Sequence, residues 1–130
     1  MVARVHDLQD FAARYTAAWC SRNPGSVAAF FSKDGSLRVN DDPPAVGRAA
    51  ITQVALSFMT AFPDLRVIMN NVVLHGEEAE YHWTLTGTNT GRRVHISGSE
   101  RWRFAQDGLI GSSLGHFDAA EYRRQLEEEK

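Results

Sequence analysis

The spacing of apolar residues changes period once along the chain, near Pro63. Before that point it is helical. Leu8, Phe11, Ala12, Tyr15, Ala18 and Trp19 form one stripe between Asp7 and about Arg22, which predicts a long amphipathic first helix with Asp7 as its cap. Asn23, Pro24 and Gly25 interrupt the stripe and restart a short second helix that ends near Phe31. The triplet Lys33–Gly35 reads as a turn, Ser36–Val39 as a short strand, and the Pro-rich stretch NDDPPAVG as an irregular loop. Ile51, Val54, Ala55, Phe58, Met59 and Phe62 mark a third helix starting near Arg48, which Pro63 stops.

After Pro63 the period is two, the signature of a meander of antiparallel strands. These are expected near Arg66–His75, Glu78–Asn89, Arg92–Ala105 and Leu109–Phe117, with a glycine at or beside each intervening turn. Asp118 is placed to cap a last helix. Helices first and strands after predict an α+β domain whose helices cover one face of a curved, mostly antiparallel sheet.

Composition narrows the functional classes. At 130 residues the chain makes one domain, 1–130, and its net charge of −2 argues against a nucleic-acid partner, although Arg92 and Arg93, and Arg101 and Arg103, cluster locally. Cys20 is the only cysteine, so no internal disulfide can form and a reducing, cytoplasmic location is expected. There is no leader-like or membrane-length apolar run, so no membrane association is expected.

The candidate chemistry begins with Glu100 in VHISGSERWRF. On a strand it shares a face with Val94, Ile96, Gly98, Trp102 and Phe104, an acid on an otherwise apolar face. It is either a proton-shuttling carboxyl held in a pocket or a rim acid paired with a base. Tyr15, four residues from both Phe11 and Trp19, faces inward, its hydroxyl meeting a backbone carbonyl, water or a ligand oxygen. His116 follows Ile110, Ser112 and Leu114 at period two and serves as an acid or base, or bonds to its own turn. Trp19, Val39, Phe58, Phe62, Trp83 and Trp102 are the expected cavity lining for a small apolar ligand. No metal-ligand spacing and no phosphate-cradling glycine loop is present, so neither metal nor cofactor is expected.

Four stretches, SVAAFFSKDGSLRV, AFPDLRVIMNNVVLHGEEAEYHWTLTGTNTG, RRVHISGSERWRFAQDGLI and GHFDAAEYRRQL, together with the element order, resemble the SnoaL-like branch of the nuclear-transport-factor-two-like superfamily over nearly the whole chain. The resemblance implies a cone-shaped α+β fold with three N-terminal helices on the concave face of the sheet. It also implies chemistry ranging from cyclisation and isomerisation to non-catalytic binding. In SnoaL polyketide cyclases the last strand carries a His-Trp-Asp stretch whose aspartate is the acid/base; in register with Asp118, those places hold Ser113, Leu114 and Gly115 here. Similarity to ketosteroid isomerases gives Tyr15 and Glu100 the oxyanion-holding positions and puts Val39 where their base stands. The Asp, Arg, Asp trio of limonene epoxide hydrolases is not visible on the inferred inner face. The expected function is binding of a small apolar carbonyl compound, with cofactor-free cyclase, isomerase or dehydratase chemistry. The alternative is a non-catalytic binding or assembly module that dimerises through the outer face of the sheet.

Overall fold

The helical half and the strand half both form, in a computed structural model that describes residues 5–127. The elements are α1 (Val5–Cys20), α2 (Pro24–Ala28), β1 (Phe31–Val39), β2 (Ala45–Val46), α3 (Arg48–Ala61), β3 (Arg66–His75), β4 (Glu78–Asn89), β5 (Arg92–Phe104), β6 (Ile110–Phe117) and α4 (Ala119–Glu127). One curved, unclosed six-stranded sheet has the order β2-β1-β6-β5-β4-β3. From β3 to β6 it is an antiparallel meander, while β1 joins β6 in parallel and β2 runs antiparallel to β1. The fold is thus α+β, with α1 against β3, α3 against β1 and α4 against β5.

Several boundaries differ from the expectation. α1 begins at Val5, so Asp7 lies in its first turn and favours the helix through the dipole and not as a cap. Arg22, at φ 67°, follows its end. Asn23 caps α2 by accepting from the Gly25 amide, with Pro24 in the first helical turn. Lys33–Gly35 is not a turn. It lies within β1, where the register on β6 shifts between Phe31 and Ser36, and a Cβ on Gly35 would press on the Ile110 carbonyl oxygen. The Pro-rich loop contains β2, which pairs Val46 with Ser36 and Ala45 with Leu37.

The sheet's two faces follow from alternation. On β5, Val94, Ile96, Glu100 and Trp102 are buried, while His95, Ser97, Arg101 and Arg103 are exposed. The outer arginines are answered directly across the sheet, Arg103 by Glu78 at 2.8 Å and Arg101 by Glu80 at 3.5 Å, exposed pairs of small energetic weight. β6 breaks its own alternation. Arg103 pairs with Ser112 and Phe104 with Ile110, which leaves Gly111 unpaired as a bulge. Past the bulge the phase inverts, so Ser113 is buried while Leu114 and His116 are exposed. At the far end α4 turns back on β5. Its Gln125 accepts from the His95 amide at 2.8 Å and donates to the His95 carbonyl at 3.0 Å, and Asp118 caps the helix by accepting from the Glu121 amide. Among the described residues, no helix is long and apolar enough to cross a membrane.

Gly98 sits opposite Trp83 on the inner face of β5, and an added Cβ would overlap both the indole ring and the His116 carbonyl oxygen. Backbone on one side and a packed ring on the other leave little room to yield. Gly98→Ala is expected to destabilise the fold by about 1–3 kcal/mol, measured as the shift in urea unfolding midpoint. An unchanged midpoint would show that β6 and the Trp83 ring give way freely.

Candidate functional site

The inner face of the sheet and the helices above it enclose a cavity with ≈ 50 Å³ of free space for water-sized atoms, room for roughly four of them. Its walls are apolar: Trp19 from α1, Val54 and Phe58 from α3, Leu37 and Val39 from β1, and Val67 from β3. Tyr81, Trp83 and Leu85 of β4 and Phe117 of β6 complete them, and Glu100 is the charged side chain in the lining.

Glu100 is only 8% exposed and has no basic partner among the described residues, which excludes the rim ion pair. Its Oε1 instead accepts three hydrogen bonds, from Tyr15 Oη at 2.9 Å, Trp102 Nε1 at 2.8 Å and Ser113 Oγ at 2.9 Å. These donors come from α1, β5 and β6. Oε2 accepts none among the described residues, and Glu100 is one of the residues that line the cavity. Burial dominates the titration of this carboxyl and raises it above its ordinary value, against the three donors that pull it down. Tyr15 is pushed well up, first by burial and then by the Glu100 charge. Tyr81 is raised chiefly by burial, and its hydroxyl is bonded to Thr16 Oγ1. Both phenols therefore stay neutral while Glu100 titrates.

Four of the six expected lining residues, Trp19, Val39, Phe58 and Trp83, reach the cavity. Trp102 does not. It is fully buried behind Glu100, stacked on Tyr81 at 4.8 Å, and Phe11 and Tyr15 of α1 fill the space beyond it. Phe62 also misses, because α3 ends at Ala61 and the Phe62 ring turns toward Tyr122 of α4 and Gly87. Tyr15 is fully buried and absent from the lining, and its hydroxyl goes to Glu100 instead of to a ligand, water or backbone. His116 borders the cavity but is an exposed residue, paired with Ser99 in the register of β5 on β6. The Gly111 bulge explains why period-two counting from Ile110 misplaced it.

Sequence reasoning missed Ser113, whose orientation depends on that bulge, and the state of the Trp83 indole. Trp83 Nε1 is buried with no hydrogen-bond partner among the described residues. Among those residues, no three His, Cys, Asp or Glu side chains converge as metal ligands.

A family model described as a SnoaL-like domain matches residues 12–112. No curated protein sequence matches the chain. Among solved structures, a ketosteroid isomerase-like fold protein from Catenulispora acidiphila, in complex with trimethylamine, is 16% identical, with 89% of this chain and 91% of that one covered and a TM-score of 0.81. A candidate SnoaL-like polyketide cyclase from Jannaschia is 14% identical, with 93% and 94% covered and a TM-score of 0.76. The epoxide hydrolase/cyclase-like enzyme SalBIII, of pyran ring formation in polyether salinomycin, is 15% identical, with 89% and 94% covered and a TM-score of 0.78. At these identities the likeness is one of fold.

A carboxyl raised in the folded state binds its proton more tightly there than in the unfolded chain. Its contribution to stability is then complete below the unfolded value, about 4.3, and is lost as pH rises through the folded value. Relative to Glu100→Gln, whose amide mimics the protonated acid, the wild-type protein is expected to lose stability from about pH 4.3 upward and then level off. Urea unfolding at a series of pH values checks this. Asp64, Glu78 and Glu121, lowered mainly by hydrogen bonds to neighbouring groups, are common to both proteins and cancel. Parallel curves would mean that Glu100 titrates normally.

Proposed function

The chain belongs to the SnoaL-like domain family, and from that membership and the setting of Glu100 we propose that it binds a compact, mostly apolar carbonyl compound and moves a proton on it without a cofactor. The observation that carries this reading is the division of labour between the two oxygens of Glu100. Oε1 is occupied by three donors, so the proton of the neutral acid sits on Oε2, at the cavity wall. There it is given to a ligand oxygen or, once the acid is ionised, replaced by one taken from carbon. Burial moves the exchange to higher pH than an ordinary carboxyl allows, by making the carboxylate costly.

The reaction class follows from what one proton-exchanging group can do: isomerisation, aldol-type ring closure, or dehydration. The cyclase acid of SnoaL relatives has no counterpart at Ser113 to Gly115, so Glu100 takes over the acid/base work from a neighbouring strand. Tyr15, Ser113 and Trp102 act through Glu100 by holding it. The trimethylamine held by the Catenulispora protein supports a small ligand for this fold, and pyran ring formation by SalBIII supports cyclisation.

The test exposes the purified protein and its variants to a metabolite extract of the host and follows retained and consumed compounds by mass spectrometry. Wild type is expected to consume a compound that Glu100→Gln retains but converts about 100-fold or more slowly, while His116→Ala converts it at nearly the wild-type rate. Equal consumption by wild type and Glu100→Gln overturns the assignment, and retention by both with consumption by neither makes the domain a binding module.

A further inference from the structure

Glu100 is the buried acid of the cavity lining, and its charge has no counterpart there. Tyr15, Trp102 and Ser113 bond to it as neutral donors, and no basic side chain pairs with it among the described residues. Neutral donors replace part of the lost water, but a buried negative charge without a positive one remains costly. The walls around it are of the kind a cation accepts in place of water. Trp19, Phe58, Tyr81, Trp83 and Phe117 line the same space as the carboxyl. Four of these rings form two inclined pairs, Trp19 with Phe58 at 5.9 Å and 80°, and Trp83 with Phe117 at 6.3 Å and 61°. Ring planes of several orientations therefore surround the space, as in a cage. Aromatic rings attract a cation through the negative charge of their faces, most strongly where water is excluded. No lysine or arginine lines the cavity to repel it.

We propose that the cavity binds a compact methylated ammonium ion, held by the ionised carboxylate of Glu100 and by the aromatic rings around it. The ≈ 50 Å³ of free space is the size of one nitrogen with its methyl groups, at about 10–15 Å³ per atom. A bare inorganic cation is a poor occupant, because the apolar walls offer it too few oxygens to replace its water. The inference goes beyond the carbonyl reading, since it uses Glu100 as a charge and not as a proton donor. The neutral acid suits a ligand oxygen and the carboxylate suits the cation, so the two ligand classes require opposite states of one residue and exclude each other. Ion binding displaces the Glu100 proton. It should tighten by up to about tenfold per pH unit while the carboxyl titrates, above the ordinary carboxyl range because of burial, and then level off. Of the other titratable groups around the carboxyl, Tyr15 on α1 and Tyr81 on β4 are raised and stay neutral, while His116 on β6 borders the cavity. From α3, β1 and β3 only apolar side chains line it.

The test titrates the protein with tetramethylammonium chloride at constant ionic strength, over a series of pH values. It does the same with 2-methylpropan-2-ol, which has a similar shape and can hydrogen-bond but carries no charge. Tetramethylammonium has a permanent charge and no N–H, so it neither titrates nor donates a hydrogen bond. NMR signals of the Leu37 and Val39 methyls report occupancy of the cavity. With Glu100 ionised, the ion is expected to bind about tenfold tighter than the alcohol, or more. Glu100→Gln should remove that preference and its pH dependence together. A pH dependence that survives in this variant belongs to His116 and overturns the proposal. Phe58→Leu should weaken the ion about fivefold and leave the alcohol unchanged. If a variant does not fold, the wild-type affinities for the two ligands across pH decide. Alcohol binding as tight as that of the ion, or tighter, overturns the ion site and leaves the proton-transfer reading to its own consumption test. No methyl response to either molecule overturns both.

Discussion

A carboxyl group among aromatic rings is tolerable only if the protein supplies what water would have supplied, and here it does so for one oxygen alone. Three donors converge on Glu100 Oε1, from its own strand two residues on, from the next strand and from a helix 85 residues away. Each is itself buried, so the arrangement has no cheap alternative. If α1 shifted along the sheet, Tyr15 would leave the carboxyl, and if β6 slipped by one residue, Ser113 would face solvent. The site therefore constrains the register of the elements around it as much as they position the site.

The same arrangement explains why the aromatic residues divide into two groups. Phe11, Tyr15, Tyr81 and Trp102 meet edge-on or stacked at centroid distances of 4.8–5.6 Å and form a solid block behind Glu100. Trp19, Phe58, Trp83 and Phe117 stand on the other side and surround open space. Glu100 is the boundary, bonded through one oxygen to the donors of the block and lining the space itself.

What could be read from the sequence was whatever depends on local period. The inner face of β5 on which Glu100 lies followed from alternation alone, as did the helical stripe that turns Tyr15 and Trp19 inward, whereas alternation left open whether Glu100 was buried in a pocket or paired at the rim. What could not be read depends on chain segments meeting. The parallel pairing of β1 with β6 brings together strands about 75 residues apart and leaves no local pattern. The Gly111 bulge inverts a face through one residue, which misplaced His116 and hid Ser113. Tyr15 was read correctly as inward, but the partner of its hydroxyl lies 85 residues away. The unpaired indole of Trp83 has no sequence signature, because it results from how Gly98 and Phe117 hold the ring.

The embrace of His95 by Gln125 bears on how the molecule keeps to itself. β6 pairs with β5 only from Gly98 onward, so the preceding residues of β5 would present bare amides and carbonyls to any passing strand. A single glutamine side chain on α4 takes up both main-chain groups of His95, as the backbone of a neighbouring strand would do. The final helix thus occupies the place where an added strand would pair, and strand addition at this edge requires α4 to leave first.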